Sequence, residues 1–243
     1  MAIKFNLSMT DKNAIKNFEE WNESYVKKYS SESHYASPSF IVRYIEGKRI
    51  KEVARLINAQ AADNLIELGC GEGHILEKLG QSKITGVDLS ETSLKKAAER
   101  MKRAGKPARF VKANVEELPL EITGEKFNKI ICSEVIEHVQ RPEKVIGEIS
   151  KIASPNADIV ISAPNERLIN RLKSVFIKLR LFSLLFPGVS LKMDDEWHLN
   201  TFSLALLKKY TEGKLKIKKV RAIPFWFCPL YYIVVFELCL CEK

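Results

Sequence analysis

The sequence predicts an α/β fold: a doubly wound, seven-stranded and mostly parallel sheet of Rossmann-like form, behind a helical N-terminal cover and with one basic insertion. Three observations predict it. Short apolar runs alternate with amphipathic segments between residues 63 and 164, the first run ends in a glycine-rich turn, and the second ends in an acid. Strand, crossover helix and strand in that order close right-handed βαβ units whose strands lie parallel.

The elements follow in order. Residues 11–59 carry helical periodicity in two blocks, 13–28 and 40–57, joined by the polar, Pro-containing SSESHYASPS, and form the expected cover over residues 1–59. From residue 60 to 243 the sheet domain is expected, with strands at NLIELG, KITGVDL, ARFVKA, FNKIICS and ADIVISAP. Helices are expected at HILEKLG, ETSLKKAAERMKRAG and PEKVIGEISKIA. The alternation breaks over about 166–200, where the stretch 167–192 is apolar and basic and reads as an inserted amphipathic lid. A helix at 203–210 and strands near 215–222 and 231–240 complete the domain. Residues 222–241 are nearly uncharged and long enough to span a bilayer. Pro224, Pro229 and Glu237, with an aromatic and β-branched bias, favour two strands around a turn instead.

The chain has 243 residues, with 39 Lys and Arg against 30 Asp and Glu for a formal net charge of +9, and 46% of them are hydrophobic. A chain this long buries about 70% of its unfolded surface and needs no disulfide or metal staple. The five cysteines, Cys70, Cys132, Cys228, Cys239 and Cys241, are odd in number and include no C-x-x-C pair, so neither a disulfide framework nor a cysteine zinc site is suggested. The N-terminal segment has no continuous apolar stretch of the kind a secretory signal carries. A cytoplasmic protein with reduced thiols is expected.

The first strand ends in Glu67-Leu68-Gly69-Cys70-Gly71-Glu72-Gly73, with a helix expected directly after it. Alternate glycines let a ligand lie against bare backbone, and free N–H groups at a helix start attract a carboxylate or phosphate. The dinucleotide pattern G-x-G-x-x-G needs a glycine at position 74, where this chain has His74. That weakens the reading as a nicotinamide-dependent dehydrogenase. Glu67 is placed to balance a cationic ligand, and Asp88, closing the second strand, to accept ribose hydroxyls.

These residues resemble the glycine-rich motif and the following acid of class I S-adenosylmethionine-dependent methyltransferases. Ala113-Asn114-Val115-Glu116-Glu117-Leu118-Pro119 resembles that family's adenine loop, and residues 127–139 its fourth-strand motif. The resemblance implies that Gly69, Gly71 and Gly73 border the methionine half of S-adenosylmethionine, Asp88 the ribose, and Asn114 with Val115 the adenine. Glu67 and Ser133 complete the implied cofactor set. Asn114 stands where an Asp is usual, and its amide oxygen still accepts a hydrogen bond.

After the fourth strand comes Cys132-Ser133-Glu134-Val135-Ile136-Glu137-His138-Val139. On a helical turn, Glu134, Glu137 and His138 fall at i, i+3 and i+4, so two carboxylates and an imidazole converge. Such donors suit Mg²⁺ or another divalent cation. The bland alternative is that Glu134 caps a turn and His138 packs. The segment is similar to that of the ubiquinone-biosynthesis O-methyltransferases, a resemblance that implies a metal on Glu134, Glu137 and His138. A Glu-x-x-Glu-His cluster also occurs in RNA 2′-O-methyltransferases. His198, in EWHLNTF, is a candidate further ligand or base, and without metal His138 or His198 would act as general base.

The expected activity is methyl transfer to oxygen on a small apolar, lipid-associated acceptor, with the 167–192 stretch as a contact for an anionic membrane surface. Nucleic acid ranks lower as a partner, because no RNA-binding module is evident. Non-catalytic cofactor binding is a further alternative.

Overall fold

The computed structural model describes residues 17–29, 37–189 and 197–239. In chain order the elements are α1 (Phe18–Lys28), α2 (Phe40–Ile57), β1 (Asn64–Leu68), β2 (Lys83–Asp88), α3 (Glu91–Arg103), β3 (Ala108–Lys112), α4 (Leu120–Thr123), β4 (Phe127–Ser133), α5 (Pro142–Ile152), β5 (Ala153–Pro164), α6 (Glu166–Lys178), α7 (Phe182–Leu185), α8 (Leu204–Thr211), β6 (Leu215–Phe225) and β7 (Cys228–Leu238). The strands form one seven-stranded sheet in the order β3-β2-β1-β4-β5-β7-β6. β1 to β5 pair in parallel, and β7 runs antiparallel to both β5 and β6. This is the predicted fold class.

Alternation along the strands divides the core into two. Ile66, Ile130 and Ile159 point into a cluster beneath α5 and α8. Leu65, Ile131 and Val160 point to the opposite face, where α2 lays Ile50, Val53 and Ile57. Glu67, Ser133 and Ser162 each lie two residues beyond one of that second set, so period-two geometry sends them to the α2 face at the carboxyl edge of the sheet. There the apolar face turns polar.

Two local expectations are corrected. No α-helix follows the glycine loop: only a single 3₁₀ turn, Leu76–Lys78, forms before Gly80. Gly71 and Gly73 hold positive φ values of 50° and 78°, and the residues left before Gly80 are too few to nucleate a helix. The Glu134–His138 segment is a hydrogen-bonded turn, not a helical one, with Glu134 itself at φ 56°. The β6–β7 strands run closer together than expected and meet in a hairpin whose last pair is Phe225 with Cys228. Among the described residues no helix is long and apolar enough to cross a membrane. The part of the 13–28 block before residue 17, most of the 30–39 connection, residues 190–196 of the insertion and Cys241 lie outside the described residues.

Candidate active site

One cavity of about 680 Å³ opens at the carboxyl edge of β1, β2 and β4. Its polar end is the glycine loop. A Cβ on Gly69 would lie 2.4 Å from Val135, and one on Gly73 would lie 3.2 and 3.3 Å from the Cβ and Cα of Ala97 in α3, whereas one on Gly71 would meet nothing within 4 Å. The three glycines therefore do different jobs. Gly69 admits the fourth-strand turn and Gly73 admits α3, while Gly71 keeps the cavity floor bare. Gly69 and Gly71 line the cavity, and Gly73 stands behind it.

Asp88 fixes this loop. Its carboxylate accepts from the Gly71 and Ser90 N–H groups, both at 2.8 Å, and still faces the cavity. Asn114 turns its amide oxygen onto the Glu116 N–H at 2.9 Å, which sets the loop carrying Val115 on the same wall. An amide oxygen has a second lone pair for a further donor. Glu67 is buried at the cavity floor, and its Oε2 has no hydrogen-bond partner. Burial pushes its carboxyl well above the ordinary range, partly offset by the Arg49 guanidinium. A buried acid so placed gains from a cationic ligand that restores its charged form.

Arg49 was not singled out from the sequence, yet it organises this end. It donates to Glu46 Oε2 from Nη2 at 2.7 Å and from Nε at 3.2 Å, and to Ser133 Oγ from Nη1 at 2.8 Å. Ser133 and Ser162 hydroxyls lie 2.8 Å apart, and Ser162 donates to Glu134 Oε1 at 2.6 Å. Because each hydroxyl has one proton, the direction is settled: Arg49 to Ser133, Ser133 to Ser162, Ser162 to Glu134. Tyr231 closes the other end, donating to Glu46 Oε1 at 3.1 Å. Its burial beside Glu46 and Glu134 pushes the phenol well above its ordinary value, which keeps it a donor. The sequence did hold a signal, since Glu46 and Arg49 sit at i, i+3 on the same stripe as Ile50, Val53 and Ile57.

The second polar group gathers Glu137, His138 and His198, whose candidate donor atoms lie within 4.8 Å of one another. Backbone bonds bring them together: the Glu137 carbonyl accepts from the N–H groups of Leu199 (2.8 Å) and Asn200 (3.1 Å), which anchors the segment carrying His198. His138 Nδ1 faces the Trp197 carbonyl at 3.3 Å, and His198 Nδ1 faces Glu166 Oε1 at 2.8 Å. The Trp197 carbonyl at His138 Nδ1 places that ring's proton there and leaves its Nε2 as the acceptor nitrogen. Burial, with His198 nearby, holds His138 well below the usual imidazole range, so it stays neutral. Burial, with Glu134 and Glu166 beside it, pushes Glu137 well above the carboxylate range, and its Oε2 has no hydrogen-bond partner. Glu134 is likewise raised by burial, opposed by Arg49 and the Ser162 hydrogen bond. Its left-handed backbone turns it toward Ser162, so it stands beside the three-residue cluster rather than in it.

Aromatic rings roof this cluster. Trp197 lies 4.6 Å from His138, ring centre to ring centre, and stacks with Tyr25 and Tyr29 of the N-terminal segment at 6.5 and 6.2 Å. An apolar stretch of the cavity wall comes from Ile169, Leu172 and Phe176 on one face of α6 and from Phe182 of α7.

Comparison with known proteins agrees with this architecture. Residues 59–208 match the family model described as a methyltransferase domain. The ubiquinone biosynthesis O-methyltransferase of Dechloromonas aromatica (strain RCB) is 32% identical over 107 residues, 43% of this chain and 46% of that enzyme. The one from Rickettsia conorii (strain ATCC VR-613 / Malish 7) is 24% identical over 176 residues, 72% of this chain and 58% of that enzyme. The chain thus spans about half the length of the curated relatives it matches. In fold it is similar to magnesium protoporphyrin IX methyltransferase from Synechocystis PCC 6803, solved with bound S-adenosylmethionine (TM-score 0.65, 13% identity, 92% of this chain and 98% of that one). It is also similar to the N-methyltransferase NodS from Bradyrhizobium japonicum WM9, with S-adenosylhomocysteine (TM-score 0.64, 14% identity, 93% and 100%). A methyltransferase-domain match over most of the sheet, joined to a glycine loop, an acid closing β2 and this strand order, makes the chain a member of the methyltransferase domain family.

Proposed function

We propose that the protein transfers a methyl group from S-adenosylmethionine to an oxygen atom of a small apolar, lipid-associated acceptor. One observation carries the reading: a single cavity joins the Gly71–Asp88 cradle to an apolar wall, with two imidazoles and buried carboxylates between them. In this reading Glu67 balances the positive charge of the cofactor's methionine half, Arg49 attracts its carboxylate, and Asp88 with the Asn114–Val115 loop holds the nucleoside. S-Adenosylmethionine supplies a methyl group already bonded to a cationic sulfur.

The chain's own residues then solve an orientation problem. The apolar faces of α6 and α7 hold the acceptor as a lid, and the ring roof of Trp197, Tyr25 and Tyr29 keeps water from the reacting atoms. Without a bound cation, His198 takes the hydroxyl proton, and Glu166 at Nδ1 stabilises the imidazolium that forms. The acceptor oxygen forms its bond to the methyl carbon as the carbon–sulfur bond breaks, and the sulfur leaves as a neutral thioether.

A divalent cation is compatible with the residues present, because the candidate donor atoms of Glu137, His138 and His198 lie within 4.8 Å of one another and Glu137 Oε2 has no hydrogen-bond partner. Those three residues would hold it, with Glu134 adjacent. When bound, such an ion lowers the pKa of a phenolic hydroxyl and fixes its direction. An anionic membrane surface against the 167–192 stretch would deliver an acceptor of this kind.

The test is incubation with S-adenosylmethionine labelled in the methyl group and a fractionated cell extract. Label is expected in the lipid-soluble fraction, as an alkali-stable ether. Label confined to RNA, or to nitrogen in any fraction, overturns the acceptor assignment.

A further inference from the structure

The hairpin between β6 and β7 turns on two residues, Trp226 and Phe227. Two-residue hairpin turns favour Asn, Asp and Gly, whereas this one carries two large aromatics, neither of them at positive φ. Large aromatics at such a tip gain nothing locally, and these two are 84% and 68% exposed. They are not isolated. Phe225 stacks on Phe227 with ring centres 5.2 Å apart, and the Lys48 ammonium lies 4.7 Å from the Phe225 ring and 5.7 Å from that of Tyr44. Tyr44 stacks in turn on Phe40 of the same helix, which is 70% exposed. Next to Phe40, the Ser39 hydroxyl donates to the Leu185 carbonyl at 2.7 Å, which ties α2 to α7 and its exposed Leu184.

Three elements remote in sequence thus present exposed aromatic and aliphatic side chains to one side of the molecule. The same three line the cavity with neighbouring residues: Val42 and Ile45 from α2, Phe182 from α7, and Leu230 from β7. The apolar rim and the cavity therefore share their walls. Cations border the rim, with Lys48 inside it and exposed Lys178 and Arg180 leading into α7, while residues 167–189 contain no acid. Tryptophan and phenylalanine at a protruding tip, flanked by lysine and arginine, match the layered chemistry of a bilayer interface, apolar below and anionic at the headgroups.

We infer that the Trp226–Phe227 tip, with Phe40 and Leu184, is an anchor that inserts into the surface of an anionic lipid bilayer and sets the cavity mouth against it. This inference rests on the membrane clause of the proposed function and adds to the 167–192 stretch, which carries Leu184, a site on the β6–β7 tip and at Phe40.

The experiment is co-sedimentation of the full chain with vesicles of phosphatidylcholine alone or with added phosphatidylglycerol, alongside tryptophan emission. The wild-type protein is expected to pellet with anionic vesicles and to show a blue-shifted emission. Trp226→Ser with Phe227→Ser is expected to lose roughly ten- to hundredfold in partitioning, the scale of withdrawing two aromatic side chains from apolar contact. Neither residue lines the cavity, so S-adenosylmethionine binding stays at the wild-type level, which also reports that the variant is folded. Phe40→Ser, on a different element, is expected to weaken partitioning in the same direction.

Wild-type pelleting that the tip substitutions leave unchanged overturns the anchor while leaving the membrane clause standing. No pelleting of the wild-type protein overturns both, and equal pelleting with uncharged vesicles overturns the anionic assignment. A wild-type dimer that the tip substitutions dissociate, without vesicle binding, assigns the surface to a second copy of the chain and overturns the inference.

Discussion

Replacing each glycine of the loop by alanine separates folding from ligand binding, because the three sites have different surroundings. At Gly71 an added Cβ meets no protein atom within 4 Å, so the cost to folding is the left-handed backbone at φ 50° alone, about 1–2 kcal/mol. At Gly69 the φ of 69° adds a like strain, and the 2.4 Å approach to Val135 adds overpacking, for a total of about 2–5 kcal/mol. With roughly 2–4 °C per kcal/mol for a chain of this size, Gly69→Ala is expected to melt at least about 4 °C lower. Gly73→Ala meets Ala97 at 3.2 Å, including a helix backbone that cannot swing aside, so it too loses stability. Binding should rank differently. Gly71→Ala puts a methyl group into the space a ligand needs and is expected to weaken S-adenosylmethionine by on the order of tenfold or more, an effect above about 1.4 kcal/mol. Gly73→Ala, behind the cavity, is expected to bind the cofactor nearly as the wild type does. Thermal melting and calorimetric titration of the three variants check both rankings. A Gly71→Ala protein that binds S-adenosylmethionine as tightly as wild type would refute the reasoning, since the bare floor would then serve no ligand.

Three further predictions follow from the buried charges. Glu67, raised by burial, supports the unliganded fold at low pH and withdraws that support as pH rises from the unfolded glutamate value toward its folded one. A cationic ligand favours the ionised form, so binding releases a proton and cofactor affinity rises with pH; Glu67→Gln should flatten that slope in calorimetry, and an unchanged slope removes Glu67 from the role. Arg49→Met deletes the guanidinium that balances buried Glu46 and is expected to cost about 3–5 kcal/mol in urea unfolding; a loss under about 1 kcal/mol would show that Tyr231 and its surroundings suffice. Glu134→Ala combined with Glu137→Ala is expected to abolish turnover while leaving cofactor affinity nearly unchanged, and full activity after exhaustive chelation would dismiss the metal.

The fold class and the glycine-loop end of the cavity were readable because they depend on local pattern. Alternating apolar residues fix which face of each strand is buried, a glycine run marks where backbone must bend, and an acid closing the second strand lands at the sheet edge whatever the distant chain does. Glu67, Gly69, Gly71, Asp88, Asn114, Val115 and Ser133 accordingly all face one cavity. The helix expected after the loop failed for an equally local reason, since Gly73 and Gly80 bracket too short a segment.

What the chain order could not reveal is which distant groups would meet. Glu134 left the expected cluster because a single left-handed residue redirected it to Ser162, 28 positions on, and His198 took the place beside Glu137 and His138 through backbone bonds to the Glu137 carbonyl. Arg49 reaches Ser133 across 84 positions, and the tip of β6–β7 stands by Lys48 of α2. Periodicity and composition determine the fold and the glycine loop at the sheet edge, for these are written within a turn or a strand. The hydrogen-bond chain from Arg49 to Glu134, the imidazole cluster and the apolar rim were decided only by tertiary packing, because each is an encounter between groups whose sequence separation carries no record of their distance.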